Sequence, residues 1–200
     1  LFFCMPLVFS AITPHSPALI PNIGKDAGMK ALDETVNALK RLEQELYATK
    51  PDVIIIISPH EGVFDRSFVI NSHTDYQSSF DQFGDLSTKR SWKGCPDIAA
   101  QIGHLGNTEH ALPIRLVSEP KLEYGASVPL FYLTEHLPDV AILPIGFSEL
   151  TNDEHVSFGE TMKDIIFTST KRIALISSGD FSHTLTKESP AGFSEAGSIV

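Results

Sequence analysis

The chain has 200 residues, 42% hydrophobic and 20% charged, with 15 Lys+Arg against 25 Asp+Glu and a formal net charge of −10. That length and composition suit one domain with its own core and exclude a disordered chain. The acidic balance argues against nucleic acid and anionic membranes as partners.

Leu1 to Cys4 precede Met5-Pro6-Leu7, which reads as a natural start, so residues 1–4 are expected to be a non-native remnant. The apolar stretch from Leu1 to Ile12 carries no basic segment and is too short to span a bilayer, so neither a signal peptide nor a transmembrane span is expected. Leu7 to Ile12 predicts a first strand, buried, followed by a loop from His15 to Lys25. Ala27 to Tyr47 predicts a helix, with Leu32, Val36, Leu39, Leu42 and Leu46 at helical spacing. Lys50-Pro51-Asp52 closes that unit. Val53 to Ser58, with its run of isoleucines, predicts a fully buried second strand and completes a βαβ unit. Arg66 to Asn71 predicts a third strand. Ser72 to Trp92 reads as an irregular, aromatic-rich segment of the kind that forms a binding loop or lid. Pro96 to Leu105 predicts a helix, Ile114 to Ser118 a strand, Ser127 to His136 a helix after Gly125, and Val140 to Ile145 a strand. Asn152 to Thr168 predicts a helix whose first turn carries Asp153 and Glu154, where they suit the dipole. Arg172 to Ser178 predicts the last strand. The alternation implies a single α/β domain, a mostly parallel central sheet flanked by helices. Cys4 and Cys95 lie far apart and form no CxxC, which points to a reducing cytosol, and a cytoplasmic location is expected.

Three loops concentrate the chemistry. Thr13-Pro14-His15-Ser16-Pro17 and Ser58-Pro59-His60-Glu61-Gly62 each deliver a histidine from a strand end, with the backbone restrained by proline. Two imidazoles at strand ends are what a mononuclear metal site in an α/β fold needs. Ser177-Ser178-Gly179-Asp180-Phe181-Ser182-His183 adds a third. Asp180, three residues before His183, is suited to orient its ring or share its proton. By position, His15, His60 and His183 are expected to converge on one crevice. His73, His104, His110, His136 and His155 lack that context and are expected to be surface or structural residues, and the Phe80–Phe83 cluster a satellite core. No GxGxxG, GxxxxGK[ST] or GxSxG is present, and Phe64 stands where HExxH needs its second histidine. Ser178, Asp180 and His183 are too close in sequence to converge easily as a hydrolase triad.

The ordered set of Pro-His-x-Pro, Ile-Ser-Pro-His and Ser-Gly-Asp-x-Ser-His resembles the class III (LigB-type) extradiol ring-cleavage dioxygenases and their Memo-like relatives. It is most similar to the microbial dioxygenase-like domain associated with AMMECR-type and radical SAM proteins. Lys50-Pro51-Asp52, Phe83-Gly84-Asp85-Leu86, Val128-Pro129-Leu130, Pro144-Ile145-Gly146-Phe147-Ser148 and Pro190-Ala191-Gly192 extend the likeness over nearly the whole chain. The resemblance implies a LigB-like fold over residues 1–200. It implies Fe(II), with Zn or another divalent metal as the alternative, bound by His15, His60 and a glutamate. In the family that glutamate lies well downstream of the third loop, so it is expected either to lie beyond Val200, with the chain lacking its C-terminal segment, or to be replaced by another residue. The resemblance also implies His183 as the acid/base beside the metal. Tyr124, in Leu122-Glu123-Tyr124-Gly125, stands where many active relatives have a histidine that contacts substrate or oxygen. The implied activity is cleavage of a catechol- or aminophenol-like ring with O2. A two-His-one-carboxylate face leaves open positions for both reactants. Two alternatives stay open: a non-catalytic, Memo-like metal- or partner-binding protein, and a metal-dependent hydrolase with water in place of O2. Self-association and an AMMECR-type or radical SAM partner are further implications.

Overall fold

The computed structural model of the chain describes residues 6–62, 66–105, 112–180, 182–187, 189 and 192–199. Residues 1–4, His110, Phe181 and the Pro190-Ala191 pair lie outside the described residues.

Five helices and nine strands are seen among the described residues. In chain order they are β1 (Leu7–Thr13), α1 (Pro21–Ala31), α2 (Asp33–Thr49), β2 (Val53–Ser58), β3 (Phe68–Asn71), β4 (Asp75–Ser78), β5 (Ser91–Gly94), α3 (Pro96–Leu105), β6 (Ile114–Val117), β7 (Lys121–Leu122), α4 (Tyr124–Leu133), β8 (Ala141–Gly146), α5 (Asn152–Thr168) and β9 (Ile173–Ser178). The sheet runs β1-β9-β2-β8-β5-β4-β7, with β3 on β8 and β6 on β3. All pairings are parallel except β3 with β8 and β4 with β5. This is the expected single α/β domain with a mostly parallel sheet.

The isoleucine strand explains the layering. Side chains alternate across a strand, so Val53 and Ile55 pack with α3 and α5 through Ile98, Ile102, Phe158 and Ile165. Ile54 and Ile56 pack on the other face with α2 and α4 through Leu46, Ala126 and Leu130. A strand covered on both faces has no polar side, and β2 reads that way in sequence. The α5 bounds agree with the expectation, because Thr151 and Glu154 close a reciprocal capping box at its start.

Several expectations are corrected. The first strand is not buried but an edge strand, bonded among the described residues only to β9, and Ile12 is 62% exposed. The β1–α–β2 crossover skips a position, because β9 inserts between its two strands. The loop to Lys25 is instead a 3-10 turn at Pro17–Leu19 and the start of α1, since proline is well tolerated in a first helical turn. The single helix from Ala27 is two, α1 and α2, divided at Leu32. The segment 72–92 is not irregular throughout: β4 and β5 pair antiparallel, setting Tyr76 opposite Trp92, both buried. Packing of those two aromatics overrides the polar residues between them. The helix expected from Ser127 begins at Tyr124, where the Glu123 side chain accepts from the backbone N–H groups of Gly125 and Ala126.

Candidate metal and proton-transfer site

Register decides where the loops meet. Thr13 pairs with Ser178, Ile57 with Ser177, and Ser58 with Gly146. The parallel strands β1, β9, β2 and β8 therefore end on one edge, the position at which open α/β sheets present ligands. His15 follows β1, His60 follows β2, and Asp180 and His183 follow β9. With β9 in the middle, the third loop starts beside both and brings Asp180 against His15.

Their polar atoms form one continuous row. Tyr124 Oη lies 2.9 Å from His60 Nε2, which lies 3.2 Å from His15 Nε2. His15 Nε2 lies 3.5 Å from Asp180 Oδ2, which accepts from His183 Nε2 at 2.8 Å. All five residues singled out in sequence are thus brought together. His15 is 4% exposed. Burial pushes its pKa below the ordinary value; His60 and His183 lower it further and Asp180 opposes them. The imidazole is therefore neutral near pH 7, the form that binds metals. Burial, and then the Glu123 and Asp180 carboxylates, push the Tyr124 phenol up, so it keeps its proton. Tyr124 also stacks on His60, with centroids 4.5 Å apart, and Phe83 meets Tyr124 edge-on at 5.1 Å. His183 stands outside this packing, with a 63% exposed side chain.

The two carboxylates nearest in sequence point elsewhere. Glu123 accepts from Gly125 N at 2.6 Å and from Ser58 Oγ at 2.7 Å, so it caps α4 and ties that helix to the end of β2. Glu61 is buried and accepts from Asn71 Nδ2 at 2.7 Å. Among the described residues, no cluster of three or more His, Cys, Asp and Glu side chains is arranged to hold a metal ion. Ser178 does not join His183 and Asp180 as a hydrolase triad. Its Oγ donates to the Gly125 carbonyl and lies 3.1 Å from His15 Nδ1.

Gly125 sits against the site without a side chain because none fits. A Cβ there would lie 2.5 Å from Ser58 Oγ and 2.9 Å from His60 Cδ2. Gly125→Ala is therefore expected to displace the His60 ring and weaken Zn(II) binding about tenfold or more, read by titration calorimetry. Unchanged affinity would show that the ring tolerates the methyl.

Ser58 and Ser178 touch the site as positioning residues that the loop motifs do not mark. Their signal is a serine at the last position of a buried strand, immediately before a histidine loop. Of the other histidines, His136 pairs with the buried Glu43 at 3.1 Å, His155 bonds the Thr151 carbonyl and stacks on Phe147, and His73 bonds Ser118. All three lie outside the row.

A family profile for the catalytic LigB subunit of aromatic ring-opening dioxygenases matches residues 10–197. The chain belongs to the LigB family. This LigB domain is 22% identical over 194 residues to Protein CA_C1420 of Clostridium acetobutylicum, an alignment that takes in 93% of the chain and 41% of the relative. The chain thus spans less than half the length of that curated relative. Its fold is similar to the crystal structure of the uncharacterized protein JW3007 from Escherichia coli K12, with a TM-score of 0.54 and 20% identity, over 73% of this chain and 54% of that one. No helix among the described residues is long and apolar enough to cross a membrane.

The family's metal can be tested against the donors present. Two Nε2 atoms 3.2 Å apart can both bond one ion at about 2.0–2.1 Å, with the bonds meeting at about 100–105°, near the tetrahedral angle. Neutral imidazoles suit iron and zinc alike. His15 and His60 fit two positions of a mononuclear site, and the described residues supply no complete third.

Proposed function

We propose that this LigB domain carries the site of a non-haem Fe(II) extradiol dioxygenase acting on a catechol- or aminophenol-like ring. What supports the reading above all is the meeting of His15 and His60 Nε2 at the sheet edge, 3.2 Å apart, beside the hydrogen-bonded Asp180–His183 pair. His15 and His60 hold the metal. When bound, the metal supplies a common meeting point for the substrate oxygens and O2. His183, free of packing at the mouth of the site, takes the proton of a substrate hydroxyl at Nδ1, while Asp180 holds Nε2 and steadies the charged ring. Tyr124 and Phe83 offer aromatic surface to a planar substrate. O2 and the aromatic compound are the reactants; an AMMECR-type or radical SAM protein is the proposed partner.

One observation favours a second reading. The Tyr124 hydroxyl bonds directly to His60 Nε2, the atom that should face a metal. A Memo-like metal- or partner-binding protein without turnover would tolerate that contact. The full-length natural protein, loaded anaerobically with Fe(II), separates the two. Under the dioxygenase reading, an oxygen electrode registers uptake with at least one member of a catechol and aminophenol panel, together with the absorbance of a ring-opened product. Fe(II) binding with no uptake across the panel would overturn that reading in favour of the second.

A further inference from the structure

Ser178 ends β9 between the two histidine-bearing strands, and it is buried. Its hydroxyl has one proton to give. A carbonyl can only accept, so the bond from Ser178 Oγ to Gly125 O commits that proton. The sequence of α4 explains why this carbonyl is open to capture. In an α-helix the carbonyl of residue 125 would accept from the N–H of residue 129, and residue 129 is Pro129, which has none. Ser178 fills the gap that the proline leaves.

The consequence falls on His15. Its Nδ1 lies 3.1 Å from Ser178 Oγ, whose proton is already engaged, so Nδ1 must be the donor. A neutral imidazole carries a single N–H. Nε2 of His15 is then left as a lone pair that accepts from His60 Nε2 3.2 Å away, against the weaker pull of the Asp180 carboxylate 3.5 Å from the same nitrogen. The opposite tautomer would set the Nδ1 lone pair against those of the serine oxygen.

We propose that Ser178 is a positioning residue: anchored on the Gly125 carbonyl that Pro129 frees, it locks His15 as the Nδ1–H tautomer and presets Nε2 for metal binding. The proposal rests on the reading of His15 and His60 as a metal-binding pair, and it concerns the metal-free protein first. A hydrogen bond to the far nitrogen of a ligating histidine fixes ring and tautomer, and its removal usually weakens metal affinity.

Long-range proton–nitrogen correlation NMR of histidine-labelled, metal-free protein at pH 8 reads the tautomer directly. In the wild type, His15 Nδ1 carries the proton and Nε2 does not. In Ser178→Ala that preference is lost, and Zn(II) affinity by titration calorimetry falls about 10- to 100-fold. Ser178→Thr retains a hydroxyl and restores both readouts. A wild-type His15 protonated on Nε2 overturns the proposal without any variant. So does a Ser178→Ala protein whose tautomer and Zn(II) affinity are unchanged. Failure to consume O2 with catechols would remove the dioxygenase reading while leaving the tautomer result intact, so the two failures are distinguishable.

Discussion

Replacing His15 or His60 by alanine is expected to abolish stoichiometric Fe(II) or Zn(II) binding, whereas His183→Ala is expected to leave binding intact and to lower the proposed ring-cleaving turnover by about 10²- to 10⁴-fold. The separation follows from where the three rings stand. His15 and His60 face one another through Nε2 at 3.2 Å, and among the described residues nothing else completes a metal cluster, so loss of either removes half of the donors present. His183 reaches the row only through Asp180 and is mostly exposed. Its removal disturbs little packing but takes away the group proposed to accept the substrate proton. Calorimetric titration with Zn(II) and oxygen-electrode assays on the same three variants check the pattern, with circular dichroism confirming that each is folded. Metal binding that survives His60→Ala would place the site elsewhere; turnover that survives His183→Ala would remove its role in proton transfer.

Glu61→Gln is expected to stabilise the protein above pH 7 and to leave it unchanged near pH 4. Burial pushes the Glu61 carboxyl from its ordinary 4.5 up to about 7; Asn71 lowers it and the Glu123 charge adds to the rise. One carboxyl oxygen accepts from Asn71, and the other, Oε2, is buried without a hydrogen-bond partner among the described residues. A carboxyl with a raised folded-state pKa keeps its proton over a range in which the unfolded chain has already lost it. Stability therefore falls as pH rises from about 4.5 to about 7 and stays reduced above that. At about 1.4 kcal/mol per pH unit the full penalty is roughly 3 kcal/mol, an upper figure. Glutamine keeps the acceptor that Asn71 needs and has no charge to bury. Urea denaturation of wild type and variant at pH 4 and pH 8, in the presence of a chelator, measures the difference. Equal stabilities at pH 8 would show that the ionised carboxylate is solvated or paired in the folded protein.

Much of the architecture is legible because it depends on local alternation and on proline. The isoleucines of β2 leave no face for solvent, and the α5 bounds are fixed by the capping pair Thr151 and Glu154. The apolar run of β1 misleads, because hydrophobicity does not reveal whether a strand lies at an edge. Among the described residues β1 bonds only to β9, and Ser10 and Ile12 on it stay exposed. The β4–β5 pairing is hidden for a related reason: strands of four residues carry too little periodicity, and Tyr76 and Trp92 bury in a cluster with distant residues, Trp92 Nε1 donating to Thr134 Oγ1 at 2.8 Å.

The sequence by itself determined the family pattern, the alternation of strand and helix, and the histidines that end up at the site. Those are properties of short segments, set by side-chain period and by the restraints proline places on its neighbours. Only the tertiary structure decided that β9 inserts between β1 and β2, and so brings Asp180, with His183 bonded to it, up beside His15. It also decided that Glu61 and Glu123 turn away from the pair, and that Ser178 reaches the carbonyl that Pro129 leaves open. Strand order joins residues more than a hundred positions apart, as His15 and Ser178 show, and is settled by how the layers pack rather than by any local preference of the chain.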